Sequence, residues 1–421
     1  MAQEFVIQIL EKEHYFTQHH IPLVVTQPSV TLDASCIRIQ SKVLSLTANN
    51  ISYAKLGFLF NWWDVYPLPP STPSPFNDAS RYGRICAWGF AEVVASTHDT
   101  VAVGSYIWGY LPTGTLPETL EVEKASGGHV AAINQHRRGL SAGYNRYKVY
   151  PASLKTAIEA REDSIAYDSL VRAMFSTGYL LNRFVFSQDQ ISPHMESSTS
   201  RTWSSEAADL SNALIFCLAP GSKTAMCFAH ELRVTRAEST RLAHVVAVSS
   251  DLSIQFVKDS GEYSTVVSTS SDPMEVLKCI GGGHSTQSKV VLFDFGGRPG
   301  LAEKWASAIS NIYEKFVLVK VGSGISETPS SDILAILARG ERPSYETIQV
   351  NASVVRERVI AKIGSNIYFE GFEKDWATFK DSGCIKGLEL TWGNGMKDLE
   401  KGWTALCSGK VEPSKGLVYS L

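Results

Sequence analysis

Short apolar segments in the second half of the chain constrain its fold most strongly. They are rich in β-branched residues and are separated by helix-like stretches: residues 213–218 (ALIFCL), 244–249 (HVVAVS), 265–268 (TVVS), 290–295 (VVLFDF) and 315–322 (KFVLVKVG). Nearly continuous apolar strands that alternate with helices are typical of a parallel sheet covered on both faces. The pattern predicts a doubly wound α/β domain over residues 161–340.

The first part of the chain has a different pattern. Its strand-like runs are short and separated by turn residues, as in KVLSLTA, GFAEVVAS, TVAVGSYIWGYLP and NRYKVYP. Such spacing favours a small barrel or sandwich over residues 1–160, with a surface loop at 67–80. Residues 164–182 carry the apolar stripe of a helix that links the two parts. After residue 341, a helix ending near Gly409 and a turn through Pro413 lead to a strand, LVYSL, which we expect to return to the first sheet.

Composition narrows the class of partner. The chain has 421 residues, enough for two domains, and 39 basic against 42 acidic side chains, a net charge of −3. This balance gives no attraction for nucleic acid or for an anionic membrane. No run of eighteen apolar residues and no secretory signal occur, and the seven cysteines are scattered, which is typical of a reduced, cytoplasmic protein. A small-molecule substrate is therefore expected.

Local motifs resemble one protein superfamily. Val101, Val103, Gly104 and Ile107 stand at the turn positions of a barrel signature, and further marks are ANNISYAKLG, FSTGYLL, SKTA and GKVEPSKGLVYSL. In the order of its parts the chain resembles the zinc-free medium-chain dehydrogenases/reductases, and within them a microbial and fungal family known only as a domain of unknown function. The resemblance implies a GroES-like β-barrel domain, built from residues 1–160 and 341–421, beside a Rossmann-type domain.

The resemblance also bears on metal binding. Zinc-dependent members of the superfamily use cysteine, histidine and a third ligand around an open position on the metal. Ser52 and Trp88 stand near the corresponding positions of this chain, and no four closely spaced cysteines occur. We therefore expect no metal.

The turn after the first strand of the Rossmann-type domain is CLAPGSKTA. Dinucleotide-binding proteins ordinarily have Gly-x-Gly-x-x-Gly here, because glycine lets the backbone approach the diphosphate at a helix N-terminus. Of these glycines Gly221 remains, and the hydroxyls of Ser222 and Thr224 and the charge of Lys223 are candidate anion ligands. The alternative is a Rossmann scaffold that no longer holds a dinucleotide.

Other strand ends supply the remaining cofactor candidates. Ser249 and Ser250 favour NADP over NAD, because a 2′-phosphate prefers small polar groups, although Asp251 follows at once. Three residues are expected by position at the nicotinamide side, or else as simple turns: Gly296, Gly322 and Ser323. The resemblance places Thr177 near the ribose or the nicotinamide.

Catalytic candidates lie in the first domain. By resemblance, Asn49, Asn50 and Tyr53 occupy the place where zinc-free quinone and enoyl reductases present an asparagine and a tyrosine to the substrate carbonyl, with Asn50 as the orienting residue. A phenol there acts as hydrogen-bond donor or general acid. The alternative is that Asn50 and Tyr53 close a barrel turn.

Aromatic residues of the first domain are candidates either for the wall of an apolar substrate pocket or for the barrel core: Trp62, Trp63, Tyr66, Tyr110 and Tyr147. Asp64 lies among them in the sequence and is a candidate acid or base.

Three functional hypotheses follow. The first is a zinc-independent, NADPH-dependent reductase of a carbonyl or enone in secondary metabolism. The second is a lyase, isomerase or cyclase that keeps the scaffold and uses Tyr53 or Asp64 for proton transfer. The third is a scaffold protein. The resemblance also implies a homodimer formed through an edge of the parallel sheet, with residues 265–268 or 315–322 as candidate strands.

Overall fold

The computed structural model describes residues 2–26, 31–194, 203–236, 244–281, 287–339 and 344–421. The strands are β1 (Ala2–Glu11), β2 (Gln18–Thr26), β3 (Cys36–Leu46), β4 (Tyr82–Gly83), β5 (Cys86–Ser96), β6 (Tyr106–Pro112), β7 (Glu118–Ala125), β8 (His129–Ala132), β9 (Arg146–Tyr150), β10 (Leu214–Leu218), β11 (His244–Ser249), β12 (Thr265–Ser268), β13 (Val290–Phe295), β14 (Phe316–Gly322), β15 (Glu346–Gln349), β16 (Glu389–Asn394) and β17 (Lys415–Ser420). The helices are α1 (Ala48–Lys55), α2 (Gly57–Phe60), α3 (Leu154–Glu159), α4 (Asp163–Leu170), α5 (Arg172–Leu180), α6 (Ser205–Ala208), α7 (Lys223–Val234), α8 (Ile254–Ser260), α9 (Pro273–Gly281), α10 (Leu301–Ser310), α11 (Ser330–Arg339), α12 (Ala352–Ile363), α13 (Ser365–Asp381) and α14 (Gly395–Cys407).

The first sheet closes into a barrel. Its strand order is β3-β5-β6-β9-β8-β7, and β7 pairs back onto β3, so the ring is complete. The expected return of the chain end is confirmed, because β17 pairs antiparallel with β3 and carries β16 on its outer side. The hairpin β1–β2 and the short β4 form a separate three-stranded sheet.

The second large sheet is parallel, with the strand order β12-β11-β10-β13-β14-β15. This is the 3-2-1-4-5-6 order of a Rossmann-type fold, as expected. Central strand β10 is buried at every position, and its side chains alternate between two apolar cores. Ile215 and Cys217 join the core on the side of α5 and α7, while Leu214 and Phe216 join the core on the side of α10.

Two details of the sheet lie outside the sequence-based expectation. β15 pairs with β14 and lies at 346–349, beyond the expected domain boundary at residue 340. β14 therefore has a partner on each side, β13 and β15, and the segment 315–322 offers no free edge for pairing with a second copy. In the sheet as described, the edge strands are β12 and β15.

The linking helix expected over residues 164–182 is two helices. α4 ends before Val171, and α5 begins at Arg172 and continues into a π-helical turn, Leu181–Val185. Two barrel side chains take the carbonyl groups at the break: the Trp108 indole donates to the Asp168 carbonyl at 2.8 Å, and the Ser45 hydroxyl donates to the Ser169 carbonyl at 2.6 Å. These bonds compete with the helical pattern and fasten the break to the barrel.

The segment 192–210 contains α6, and residues 195–202 of it lie outside the described part. No helix in the described ranges is both long and apolar enough to cross a membrane.

Gly178 allows the linking helix to touch the Rossmann-type domain. A Cβ atom at this position would lie 2.8 Å from the amide nitrogen of Phe228 on α7 and 3.0 Å from the backbone carbon of Cys227. Since both neighbours are backbone atoms of a packed helix, they cannot swing away as a side chain does.

We therefore predict that Gly178→Ala lowers the free energy of unfolding by about 1–3 kcal/mol, the usual cost of overpacking. Thr177→Ala, on the same helix but lining a cavity, should change it by less than about 0.5 kcal/mol. Urea denaturation of both variants measures the difference. Equal stability of the two variants would show that α5 and α7 are not in such close contact.

Candidate active site

A cleft lies between the barrel and the parallel sheet, with a cavity volume of ≈ 430 Å³. Its barrel side is formed by α1 and by aromatic side chains: Tyr53, Trp62, Trp88, Trp108 and Tyr144. Its other side is formed by α5, by the end of β14 and by the beginning of α12. Both large domains thus contribute to one cavity, whose lining is mostly apolar with some polar groups. Its size suits a small organic molecule.

Tyr53 is the central polar group of the barrel side. It lies on α1, is 6% exposed, and its hydroxyl oxygen accepts a hydrogen bond of 2.9 Å from the Trp88 indole nitrogen. Because an indole N–H only donates, the phenol proton of Tyr53 remains available for donation. Burial raises the pKa of Tyr53 well above its ordinary value, so the group is a protonated donor at neutral pH.

Asn50 holds α1 in place and does not line the cleft. Its side-chain oxygen accepts a 2.8 Å bond from the backbone amide of Thr47, the N-cap residue of the helix, and its nitrogen donates to the Cys86 carbonyl at 3.0 Å. With its amide used on both sides, Asn50 positions Tyr53 through the helix and the barrel strand. The cleft is lined instead by the neighbouring Asn49.

Asp64 is exposed and is not among the residues that line the cleft. Its aromatic sequence neighbours do not surround the carboxylate, because Trp62 and Trp63 turn inward while the carboxylate turns to solvent.

Of the five aromatic candidates, Trp62 lines the cleft and the other four are barrel-core residues. Trp63 packs against Gly57 and Gly83. The remaining three form a buried polar cluster with Arg137, whose guanidinium lies 4.4 Å from the Tyr66 ring centre and donates to the Tyr147 hydroxyl at 3.0 Å. The Tyr147 hydroxyl in turn lies 3.0 Å from the Tyr110 carbonyl. These cation–π interactions and hydrogen bonds hold the three tyrosines in the barrel core.

At the expected nicotinamide end, Thr177, Gly322 and Ser323 line the cleft. The Ser323 hydroxyl lies 2.9 Å from the Ser52 hydroxyl, which joins the Rossmann-type domain to α1 of the barrel domain. Gly296 lies behind this end, with φ +107° and with its amide donating to Asp294 at 3.0 Å. It shapes the turn but does not line the cavity.

At the expected diphosphate end, the turn 219–225 is covered by the chain itself. A Cβ on Gly221 would lie 3.2 Å from Ser253 and 3.3 Å from Pro413 of the C-terminal turn. The Lys223 ammonium donates to the carbonyl oxygens of Pro413 and Lys415 at 3.1 and 2.7 Å. Ser222 acts as the N-cap of α7 by accepting from Ala225, and Thr224 belongs to the first turn of that helix.

The two serines after β11 are also engaged within the protein. The Ser249 and Ser250 hydroxyls lie 2.8 and 2.9 Å from the Ser253 hydroxyl, and Asp251 accepts a bond from Ser268. By contrast, the expected nicotinamide end of the cleft opens into the cavity and has room for a ligand. The diphosphate end fits a dinucleotide only if the turn through Pro413 moves away from Gly221 and Lys223.

Several residues that line the cleft were not predicted from the sequence. They include His129, Tyr144, Arg146, Arg172 and Arg356, which come from separate strands, turns and helices. Burial lowers the pKa of His129 to about 3, so its ring is neutral, and the ring donates through Nδ1 to the Ser126 carbonyl at 3.1 Å. One signal was present: on β9 the alternation of side chains sends Arg146 and Lys148 to the same face.

A closed barrel, a 3-2-1-4-5-6 parallel sheet and a phenol in the cleft between them define a protein of the medium-chain dehydrogenase/reductase fold. The family model described as "Protein of unknown function (DUF2855)" matches residues 44–412, and the chain belongs to that family. The resemblance stated from the sequence is thus confirmed. A search of curated proteins gives no significant match.

Solved structures share the fold over nearly the whole chain. Quinone oxidoreductase of Escherichia coli, complexed with NADPH, is 14% identical, with 99% of this chain and 100% of that chain covered and a TM-score of 0.51. A mutant form of enoyl thioester reductase from Candida tropicalis is 10% identical, with both chains covered to 100% and a TM-score of 0.52. CurA from Vibrio vulnificus, in complex with NADPH, is 11% identical, with 95% and 94% covered and a TM-score of 0.50. At these identities the likeness establishes the fold.

The covered turn has a measurable consequence. Burial lowers the pKa of Lys223 from 10.5 to about 8. Between these pH values the unfolded chain holds a proton that the folded chain has released, so the free energy of unfolding contributed by this group rises with pH. We predict that Lys223→Met makes this rise between pH 8 and 10.5 smaller than in the wild type.

Chemical denaturation at several pH values measures the effect, with the exposed Lys410→Met as the matched control that should keep the wild-type slope. If the two variants have the same slope, Lys223 is not held against the C-terminal turn.

Proposed function

We propose that this protein is a zinc-independent reductase that uses NADPH to reduce a carbonyl group or an enone of a small organic molecule. One observation carries the proposal: a buried, protonated phenol, Tyr53, lines the same cavity as Thr177 and Ser323 at the nicotinamide end of the Rossmann-type domain. The choice of cofactor is supported by two structures that share the fold and hold NADPH, the quinone oxidoreductase of Escherichia coli and CurA from Vibrio vulnificus.

The reaction places demands on the protein that the cleft meets. Reduction of a carbonyl or an enone develops negative charge on the substrate oxygen, which must be stabilised in a site with little water. Tyr53 donates its phenol proton to that oxygen, and the Trp88 indole, by donating to the phenol oxygen, stabilises the charge that Tyr53 acquires. When bound, NADPH supplies the hydride.

The absence of zinc from the proposal is supported by two side chains that, by the family resemblance, stand near the positions of zinc ligands. Ser52 binds Ser323, and Trp88 forms the cleft wall and holds Tyr53. Hydrogen-bond donation by a phenol replaces the Lewis acid of the zinc-dependent relatives.

A second function is favoured by one observation, the contact of Lys223 with the carbonyl groups of Pro413 and Lys415. If the turn through Pro413 stays against Lys223, there is no room for the diphosphate of NADPH. The same cleft would then serve a lyase, isomerase or cyclase. Tyr53 and the neighbouring phenol Tyr144 would then move protons, since Asp64 is at the surface.

Titration calorimetry with NADPH, followed by incubation with enones and quinones, separates the two functions. The reductase proposal expects binding of NADPH and a loss of its absorbance at 340 nm that depends on substrate. Product formed equally well without NADPH would establish the second function, and the lack of both binding and turnover would reject the first.

We predict that Tyr53→Phe lowers kcat by about 10²-fold or more, because removal of a donor to a developing oxyanion has this cost, with a smaller change in KM. The matched control is Tyr345→Phe, whose ring packs on Phe316 away from the cleft. Since the variant leaves the Trp88 N–H unpaired, circular dichroism must show that it is folded. An unchanged kcat would contradict the role of Tyr53.

A further inference from the structure

The charge of the cleft lining is the feature that the proposed reaction does not use. Three arginines from different elements line the cavity, Arg146 on β9, Arg172 on α5 and Arg356 on α12. Among the described lining residues Glu373 is the one carboxylate, and His129 is neutral because burial lowers its pKa to about 3. A cleft with an excess of positive charge attracts anionic ligands.

Both Nη atoms of Arg172 already have partners within the protein, although its buried Nε has none in the described ranges. Its guanidinium donates to the Tyr150 hydroxyl at 3.1 Å and to Asp168 at 3.3 Å, contacts Glu373, and lies 4.8 Å from the Trp108 ring centre. Lys148 and Lys380 complete the group by pairing with Glu373 and Asp168 at 2.7 and 3.0 Å. Arg172 therefore acts as a structural link between α5 and α13.

Arg146 and Arg356 are different, because they share one acidic neighbour. Glu357 lies 3.7 Å from Nη2 of Arg146 and 3.6 Å from Nε of Arg356, distances beyond a hydrogen bond. Within the described ranges neither guanidinium donates a side-chain hydrogen bond, and the buried Nε of each is without a partner. Buried donors of this kind are normally satisfied, so they indicate a ligand with oxygen acceptors.

Backbone geometry holds Arg356 at the cleft. A Cβ at Gly143 would lie 1.0 Å from Nη2 of Arg356, so the guanidinium lies directly on the backbone of the 3₁₀ turn 142–144. Tyr144, the last residue of that turn, links the arginine to the catalytic candidate: its ring centre lies 6.0 Å from that of Tyr53, and the charge of Arg356 opposes the burial that raises the pKa of Tyr144. The arginine pair and Tyr53 thus belong to one cavity.

We infer that the substrate is a carboxylate whose anionic group is bound by Arg146 and Arg356, while its conjugated or aromatic body lies against Trp62 and Trp88. The orientation of its reducible group toward Tyr53 rests on the proposed function. Binding of the carboxylate does not, because it needs neither NADPH nor turnover.

The test is titration calorimetry, without NADPH, with trans-cinnamate and with its neutral methyl ester as probes. Wild-type protein should bind cinnamate at least about tenfold more tightly than methyl cinnamate, since a charge-assisted hydrogen bond contributes enough free energy for that factor. Arg146→Gln and Arg356→Gln should each lose about tenfold in affinity for cinnamate and keep their affinity for the ester.

Two further variants guard against a folding defect. Gly143→Ala keeps both charges but displaces the Arg356 guanidinium, and should also weaken cinnamate binding, whereas Arg356→Lys should recover part of it. Arg81→Gln, an exposed arginine outside the cleft lining, is the matched control and should bind like the wild type.

Four results would overturn the inference. The first two concern the wild type: it binds cinnamate and the ester equally well, or it does not bind cinnamate. The third is that the wild type binds phenyl phosphate more tightly than cinnamate. The fourth is that the two glutamine variants bind NADP⁺ more weakly but bind cinnamate as the wild type does. The last two would show that the arginines hold a phosphate. A failure of the reductase assay alone would leave the cinnamate titrations as the independent measure of the arginine site.

Discussion

Strand β3 is the element on which the rest of the structure depends, because both of its edges are used along its length. One edge pairs with β5, and the other pairs with β7 near Cys36 and with β17 near Leu46. The pairing with β7 closes the barrel, and the pairing with β17 joins the last strand of the chain to the barrel sheet. Gly89 permits the tight fit, since a Cβ there would lie 1.9 Å from the Val43 carbonyl oxygen.

Both ends of the cleft depend on this strand. At its C-terminal end, Thr47 and Asn50 form the capping box that starts α1 and brings Tyr53 to the Trp88 indole. On its other edge, β17 begins at Lys415, so the turn before it lies against Gly221 and Lys223. The strand that leads into α1 and the phenol therefore also pairs with the strand whose preceding turn covers residues 219–225.

The cleft combines a low-polarity wall with charges held in fixed positions. Tyr53 stays protonated because burial disfavours its ionised form, and His129 stays neutral for the same reason. The guanidinium groups remain charged, because arginine is not deprotonated in proteins. The cleft thus offers a neutral donor and a cationic end, an arrangement suited to hold an anionic molecule while a second oxygen accepts a proton.

The periodicity of apolar residues predicted the strands of the parallel sheet correctly. The segments 214–218, 244–249, 265–268 and 290–295 are strands of one parallel sheet, since continuous apolar β-branched runs have few other stable uses. The same reasoning failed at Val171, where the linking helix breaks. There the Trp108 and Ser45 side chains, distant in sequence, take the carbonyl groups that a continuous helix needs.

The sequence by itself determined the two-domain class and the return of the C-terminal strand, because these follow from periodicity and from motifs within short segments. Tyr53 became the leading candidate through the family resemblance of the segment 48–57. Only the tertiary structure decided that Trp63, Tyr66, Tyr110 and Tyr147 are core residues and that Asp64 is exposed. It also decided that Lys223 binds the C-terminal turn and that Arg146 and Arg356 share Glu357 as a neighbour. Each of these outcomes depends on contacts between residues far apart in the chain, and side-chain burial and ion pairing are set by those contacts rather than by sequence neighbours.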